Sequence, residues 1–279
     1  YYDGSLRQIN MNAYNEYVNT ARKKREDSFA SNPQSWLNLV GLFWLEEGEN
    51  SFGRSPEAKI SLPQFPLDFC GHFLFKNGLV TVHPQTAMTM NNGVIESRPL
   101  YTDKDPQADT LEVGTLIMKI IVRGDATLVR VWDKEAELKK GFKRFNYYEP
   151  NPKFKVTAKY VRYDPPKPTI RIEGIGTEVQ TFFMGEAQFT LNGKDYSLQA
   201  EESGDELLFN FKDETNTDTT YGGGRRFYLL PPEGDELILD FNLTDNWPCA
   251  YTPFATCPIP PKENTLKVRI EAGEKKFKK

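Results

Sequence analysis

The stretch Glu186-Ala-Gln-Phe-Thr-Leu-Asn-Gly-Lys-Asp-Tyr-Ser-Leu-Gln199 decides the fold class of this chain. Its centre, Asn192-Gly193, is a two-residue signature of a type I′ turn, so the flanking residues pair across a β-hairpin. In that register Phe189 and Leu198 lie on one apolar face, and polar side chains occupy the other face. Alternation with a period of two is typical of a half-buried strand. The stretch therefore predicts an antiparallel hairpin.

Similar turn signals recur along the chain and predict further hairpins. Asn77-Gly78 sets a register in which His72 and His83 are direct cross-strand neighbours. Gly124-Asp125 pairs residues 115–123 with 126–132, and Asn91-Asn92-Gly93 pairs 88–90 with 94–96. Further strands are predicted over 39–45, 59–62, 155–162, 169–173, 177–182, 206–211, 225–230, 236–240 and 266–271.

Residues 9–29 alone carry a helical period, with Tyr14, Val18 and Arg25 on one stripe. The basic run 22–25 is interpreted as a solvated face near the C-terminus of this helix. The sequence therefore predicts a mostly β protein behind one N-terminal helix. Residues 133–153, rich in Lys, Tyr and Pro, are interpreted as the connection between two β units.

The composition excludes several classes of protein. The 279 residues are 38% hydrophobic and 13% aromatic, which is typical of a folded chain rather than a disordered one. No apolar run approaches the roughly 18 residues of a membrane-spanning helix. The net charge of −4, with both signs interspersed, argues against nucleic-acid binding. With three cysteines and two histidines, no metal site and no cofactor are predicted.

The cysteines and histidines leave alternatives open. Cys249 and Cys257 are either reduced, half-buried thiols or a disulfide that closes a short loop, while Cys70 stands alone. His72 and His83 are interpreted as a stacked pair on a wetter face, with a metal site as the alternative. The four tryptophans are assigned to the core, with carbohydrate stacking as the alternative for Trp247.

Two segments carry a family resemblance. The first begins Trp36-Leu-Asn-Leu-Val-Gly-Leu-Phe-Trp44. The second runs from Thr219-Thr-Tyr-Gly-Gly-Gly-Arg-Arg-Phe227 to Asn264 and includes Asn246-Trp-Pro-Cys-Ala-Tyr-Thr-Pro-Phe-Ala-Thr-Cys-Pro258. Together they resemble the bacterial domain-of-unknown-function family 1684, over roughly residues 30–275. The resemblance implies no known activity. Because some members look exported or lipid-anchored, it implies an extracytoplasmic location, with the cytoplasm as the alternative. A start at Tyr1 rather than Met fits a trimmed chain.

The first half of the chain also resembles a forkhead-associated (FHA) β sandwich. Phe52-Gly-Arg-Ser55 and the predicted hairpins over 71–83 and 115–132 follow in the order of that family. In the family the Arg and a Ser-x-x-His motif hold a phosphothreonine, but Phe69-Cys70-Gly71 before His72 contains no serine. The resemblance therefore implies the shape without the ligand. The predicted domains are 1–34 (helix and linker), 35–134 (FHA-like β sandwich) and 155–275 (C-terminal β barrel or sandwich).

The last third of the chain carries the candidate site. Tyr221-Gly-Gly-Gly224 can present backbone N–H groups to a ligand, and Arg225 and Arg226 then point to opposite faces of a strand. A guanidinium suits a carboxylate or phosphate, and the alternative is a plain turn with a structural salt bridge. The predicted ligand-binding residues are Tyr221, Gly222, Gly223, Gly224, Arg225, Arg226, Asp240, Asn242, Asn246, Cys249 and Tyr251.

We therefore expect the C-terminal β domain to bind a small anionic ligand such as a carboxylate, a phosphate or an acidic glycan. The first alternative is a hydrolase that uses Asp213 or Asp240 as its acid or base at the same site. The second is an envelope-associated module that binds a partner protein. Calcium in the loop after Asp213 is a further alternative, but the loop lacks the features of an EF-hand. The oligomeric state stays open.

Overall fold

The computed structural model describes residues 11–278, and this part of the chain forms two compact units. The helix-sheet unit contains residues 11–28, Lys143–Tyr251 and 256–278. The sandwich unit contains Phe29–Phe142 and Thr252–Ala255. Residues 252–255, which the predicted domains placed in 155–275, lie in the sandwich unit because Thr252 donates a hydrogen bond to the carbonyl oxygen of Leu39 at 3.2 Å.

Helix α1 spans Met11–Ser31, and Tyr14 and Val18 are its buried residues. Residues 9 and 10 of the predicted helix lie outside the described residues. The interpretation of run 22–25 as a solvated face is wrong for two of its four members. Lys23 and Lys24 are exposed, but Arg22 and Arg25 are partly buried on the same side as Tyr14. A helical period of 3.6 places positions 14, 18, 22 and 25 on one side.

The sandwich unit is built of two antiparallel-rich sheets. Its elements are β1 (Leu39–Trp44), β2 (Gly48–Gly53), β3 (Ile60–Ser61), β4 (Gly71–Lys76), β5 (Leu79–Pro84), β6 (Thr89–Met90), β7 (Gly93–Val94), β8 (Arg98–Leu100), β9 (Leu111–Val113), β10 (Leu116–Arg123), β11 (Ala126–Asp133) and the short helix α2 (Glu137–Gly141). One sheet has the order β1-β11-β10-β9-β6-β7 and the other β3-β2-β4-β5-β8. Apolar residues of both sheets form one core between them, which is the predicted sandwich.

The hairpin registers predicted from the turns at Asn77, Gly124 and Asn192 are confirmed. At Asn91 the prediction is wrong by one residue, because Gly93 belongs to the strand and pairs with Met90. Asn77 and Gly78 both have positive φ, at 52° and 79°, as a type I′ turn requires. His72 therefore lies opposite His83, and the two rings stack with their centroids 4.7 Å apart. The turn at Asn192 has the predicted register as well, since the residues on its two sides pair without a shift through Gln199. Local turn chemistry thus sets the pairing.

The helix-sheet unit contains one sheet of seven strands. These are β12 (Lys155–Ile172), β13 (Glu178–Leu191), β14 (Lys194–Ser203), β15 (Glu206–Phe211), β16 (Arg225–Leu229), β17 (Glu236–Asp240) and β18 (Asp245–Asn246). Their order is β17-β12-β13-β14-β15-β16-β18, and the two edge strands do not pair with each other, so the sheet is open rather than a closed barrel. Its apolar face lines the hydrophobic core of the unit, which includes Phe209, Phe227 and Phe241.

The strand predicted over 266–271 is wrong as a strand, although its alternation is real. Leu266, Val268 and Ile270 are buried in the core of the helix-sheet unit, and the residues between them are exposed. The segment belongs to no strand of the sheet. Its backbone bonds instead to the residues that follow β15: the Leu266 N–H donates to the carbonyl oxygen of Lys212 at 2.8 Å, and the Val268 carbonyl oxygen accepts from the Glu214 N–H at 3.1 Å. The Ile270 N–H donates to Oδ1 of Asp213 at 3.2 Å. Alternation with a period of two therefore indicates an extended chain with one buried face. It does not by itself show that the chain pairs with a neighbouring strand.

Candidate functional site

Arg225 lies at the start of β16 with its side chain fully buried. Its Nη2 donates to Oδ2 of Asp213 at 2.6 Å and to the carbonyl oxygen of Ile270 at 2.9 Å. Its Nη1 donates to the carbonyl oxygen of Ala272. Neither Arg225 nor Asp213 exposes any of its side chain. The predicted alternation is confirmed in that Arg225 faces a buried carboxylate, and its role is to hold the 266–272 segment against the sheet.

The glycine run before Arg225 forms a tight turn. Of the three glycines only Gly224 has a positive φ, at 95°, and its N–H donates to the carbonyl oxygen of Tyr221 at 3.1 Å. A Cβ on Gly224 would lie 2.6 Å from the carbonyl oxygen of Phe211, and one on Gly223 would lie 2.3 Å from the Tyr221 ring. Close packing explains these glycines. Only one of the three glycines therefore uses a positive φ.

Arg226 points to the other face of β16 and is partly buried. Its guanidinium stacks on the ring of Trp247, 4.0 Å from the centroid, and it lies opposite Asp245 in the β16–β18 pairing. Trp247 is 6% exposed and donates from Nε1 to Oδ1 of Asn210 at 2.7 Å. Trp247 is thus a core residue, as predicted, and it forms the platform for Arg226.

Asp240 ends β17, Asn242 lies just after it, and both contact helix α1. The hydroxyl of Tyr14 donates to the Asp240 carboxylate at 2.9 Å, and Nδ2 of Asn242 donates to that hydroxyl at 2.8 Å. The backbone N–H of Asn242 also donates to Asp240, at 3.0 Å. The backbone N–H of Asn151 donates to Oδ1 of Asn242, and the backbone carbonyl oxygen of Asn151 accepts from Nδ2 of Asn242. The predicted pair is therefore a buried polar network that anchors α1.

Asn246 and Tyr251 meet at Glu274, a carboxylate with no exposed surface. The N–H of Asn246 donates to Glu274 at 3.0 Å and the Tyr251 hydroxyl donates at 2.8 Å. Arg25 of α1 completes the group. Its Nη2 lies 3.0 Å from Glu274, and its Nε lies 2.9 Å from Asp245. The ring of Phe145 packs on the Arg25 guanidinium from one side, at 4.1 Å.

A cavity of about 210 Å³ opens between α1 and this network. Arg22 is its distinctive residue. Its Nη2 donates to the backbone oxygen of Asn242 at 3.2 Å, and its guanidinium stacks 4.4 Å from the centroid of the Tyr147 ring. Its Nε is buried and has no hydrogen-bond partner. The lining residues are Ala21, Arg22, Arg25, Tyr147, Asn242, Leu243 and Asp245.

Burial dominates the electrostatics around the cavity. Loss of hydration lowers the pKa of Arg22, although Tyr147 and Glu149 act in the opposite direction. Burial likewise raises the pKa of Asp245 and of Glu274 above their ordinary values, against the attraction of Arg25. Each shift marks a charged group whose hydration is only partly replaced. The network is therefore held together by pairing at a considerable desolvation cost.

Some of the predicted site residues lie at or next to this cavity, and others belong to the hydrophobic core. Asn242 lines the cavity with Asp240 behind it, and Asn246 and Tyr251 support the Glu274 side of the network. Arg225 and the glycine turn belong to the core. A larger cavity, about 300 Å³, lies by Arg171, whose donors are taken by Glu173 and Glu201.

The residues of the candidate site that the sequence patterns did not predict lie mainly on α1. Arg22 and Arg25 stand on the stripe of Tyr14 and Val18, and a cation on the buried stripe of a helix was the available signal. Glu274 gave no signal, because nothing near it in the chain shows that it is buried.

Two classes of feature are missing from the described part of the chain. Among residues 11–278, no group of three or more His, Cys, Asp or Glu side chains is arranged to hold a metal ion. No helix over the same residues is long and apolar enough to cross a membrane.

Comparison with known proteins agrees with the resemblance in the sequence. The model of the family described as "Protein of unknown function (DUF1684)" matches residues 140–275. Residues 140–275 carry this domain. The range matched by the DUF1684 model contains Arg225, Asn242 and Tyr251, whereas Arg22 and Arg25 precede it. No curated protein matches the chain.

Two solved structures are similar to parts of this chain. One is the solution NMR structure of an uncharacterized protein from gene locus rrnAC0354 of Haloarcula marismortui. Its sequence is 30% identical to this chain, the similarity covers 50% of this chain and 80% of that protein, and the TM-score is 0.42. The other is the FHA domain of FhaA, solved in complex with the intracellular domain of Rv3910. Its sequence is 16% identical to this chain, the similarity covers 32% of this chain and 85% of that domain, and the TM-score is 0.23.

Proposed function

We propose that the helix-sheet unit binds a small anion, a carboxylate or a phosphate, in the cavity between α1 and the β17–β18 connection. Arg22 supplies the charge and the donor, Tyr147 orients the ligand, and Asn242 forms part of the cavity wall. The predicted class of ligand is kept, but its binding group moves from Arg225 and Arg226 to Arg22. The Arg225 guanidinium already bonds to Asp213 and to two backbone carbonyls, and the Arg226 guanidinium packs on Trp247.

The unsatisfied Nε of Arg22 carries this proposal. Among the described residues Arg22 has no carboxylate within ion-pair distance, whereas the neighbouring Arg25 has two. A buried donor without a partner costs about 1–3 kcal/mol, and more when it is charged. An anion that bonds to Nε would remove that cost, and a guanidinium favours planar or tetrahedral oxyanions.

The size of the cavity narrows the ligand. Its volume of about 210 Å³ is below the ~300–1,000 Å³ usual for drug-sized ligands. A phosphate ion or a short mono- or dicarboxylate would fit inside. An acidic glycan would have to remain outside, with one acidic group inserted. We therefore favour the small anion over the glycan.

The geometry favours binding over the hydrolase alternative. The Asp213 carboxylate has no exposed surface and accepts from Arg225 and from the N–H groups of Thr215 and Ile270. Asp240 is likewise buried and bonded to α1. A general acid or base must reach its substrate within hydrogen-bond distance. The partner-protein alternative and the extracytoplasmic location both stay predictions.

Calorimetric titration of the full chain with inorganic phosphate and with succinate tests the proposal. Wild-type protein should bind at least one of these probes, and Arg22→Gln should weaken that binding about tenfold or more, since it removes a charge-assisted bond. Arg144→Gln is the matched control, because Arg144 is exposed on the same unit. Binding that is absent in the wild type, or equal in Arg22→Gln and wild type, would overturn the proposal.

A further inference from the structure

Cys249 and Cys257 are brought together by the proline-rich segment. The backbone N–H of Cys249, in a short 3-10 turn after Trp247, donates to the sulfur of Cys257 at 3.1 Å. The two thiols also hydrogen-bond to each other. They are not joined in a disulfide, although seven residues separate them in the chain. Cys249 is partly exposed, whereas Cys257 is buried.

The contact gives the two thiols different acidities. The hydrogen bond from Cys257 lowers the pKa of Cys249 to about 7, against the effect of burial. The same bond, together with burial, raises the pKa of Cys257. At neutral pH a substantial fraction of Cys249 is therefore thiolate, and Cys257 is its proton-bearing donor. A thiolate with a pKa close to the ambient pH is the most effective attacking group in thiol–disulfide exchange.

We propose that Cys249 and Cys257 are a redox-active dithiol that is oxidised reversibly to a disulfide by a low-molecular-weight disulfide such as oxidised glutathione. The Cys249 thiolate attacks one sulfur of that disulfide, whose S–S bond breaks and whose other half leaves as a thiolate and takes up a proton. Cys257 then attacks the Cys249 sulfur of the mixed disulfide and expels the second small thiol. Two protein thiols are oxidised and one small disulfide is reduced to two thiols, with no net release of protons.

The second step follows from the loss of charge at Cys249. Once Cys249 is in the mixed disulfide, it no longer accepts a hydrogen bond as an anion. The main cause that raises the pKa of Cys257 is thereby removed. The cation of Arg226, which lowers the pKa of Cys257, then favours its ionisation. Cys257 already lies against the backbone of Cys249, which places the second thiol next to the mixed disulfide that it attacks.

Cys70 provides an internal comparison. It is buried in the sandwich unit, and its thiol donates only to the backbone oxygen of Leu67 at 3.5 Å. Burial raises its pKa. Its thiolate is therefore scarce at neutral pH, and we expect it to react slowly with both alkylating agents and small disulfides.

The full-length wild-type protein can be tested directly by mass spectrometry. Incubation with oxidised glutathione should give a species lighter by two hydrogens, and peptide mapping should place one disulfide between Cys249 and Cys257. Reduced glutathione in excess should reverse it. Alkylation by iodoacetamide as a function of pH should occur first at Cys249, with a midpoint of about 7. Cys70→Ser is the matched control and should behave as wild type.

Variants separate the two steps. Cys257→Ser should stop at a mixed disulfide of glutathione on Cys249, and Cys249→Ser should leave Cys257 largely unmodified. A stable mixed disulfide in the wild type, with no closure, would overturn the proposal. So would an alkylation midpoint of Cys249 near the ~8.5 of an ordinary thiol. Because the decisive measurements use wild-type protein, a variant that fails to fold does not affect the test.

Discussion

Arg225 and Arg226 are adjacent in the chain and have unrelated surroundings. A strand directs successive side chains to opposite faces, so one guanidinium enters the core and the other packs on Trp247. Arg225 is tolerated in the core because Asp213 and two backbone carbonyls replace its hydration. A buried ion pair of this kind contributes little net stability, yet losing one partner is very unfavourable.

We therefore expect Arg225→Met to lower the free energy of unfolding by about 3–5 kcal/mol, because the Asp213 carboxylate would remain buried without a counter-charge. Urea denaturation followed by circular dichroism measures this. The double variant with Asp213→Leu should regain part of the loss. Arg144→Met, at an exposed position, is the control. A loss below about 1 kcal/mol for Arg225→Met would be inconsistent with a structural ion pair.

Glu274 predicts a particular dependence of stability on pH. Burial raises its pKa above the ordinary 4.5, more than Arg25 lowers it. Below pH 4.5 the group is protonated in both states. As the pH rises toward the folded-state pKa, the unfolded chain releases this proton first, so the contribution of Glu274 to stability decreases.

Glu274→Gln removes this titration. The unfolding free energy of wild type minus that of Glu274→Gln should therefore fall as the pH is raised from about 4.5 to neutrality. Urea denaturation curves of both proteins at several pH values in this range measure the difference. If the difference instead rose with pH, the attraction of Arg25 would outweigh burial and the assigned direction of the pKa would be wrong.

At the scale of elements, α1 is attached to its unit through polar contacts as well as apolar ones. Tyr14 and Val18 are buried, but the Tyr14 hydroxyl bonds to Asp240, and Arg25 pairs with two carboxylates. The buried side of the helix therefore carries both apolar and charged residues. The basic run 22–25 could not be assigned to solvent from its charge, because charge alone does not say which side of a helix is buried.

Tyr14→Phe tests the polar part of this attachment. The variant keeps the ring but leaves the Asp240 carboxylate without a donor, which should cost about 1–3 kcal/mol of unfolding free energy. Tyr17→Phe is a matched control, since Tyr17 is exposed, and should stay within about 0.5 kcal/mol of wild type. Urea denaturation measures both. Equal effects of the two substitutions would show that the hydroxyl of Tyr14 is not a significant anchor.

At the scale of the whole molecule, two units each have their own hydrophobic core. The residues that pair within each hairpin are close in the chain, so the registers follow from turns such as Asn77-Gly78 and Asn192-Gly193. The residues of the candidate site are instead far apart in the chain. Tyr14 and Asp240 are 226 residues apart, as are Arg25 and Tyr251. No local pattern could have joined them.

The amino-acid sequence by itself determined the β-rich class, the single long helix and the register of the main hairpins. Each depends on a period or a turn that a few neighbouring residues specify. Only the tertiary structure decided which arginine is a core residue and which one faces a cavity. That choice depends on the desolvation of a charge and on partners such as Asp213 or Glu274, and both are set by contacts between distant parts of the chain.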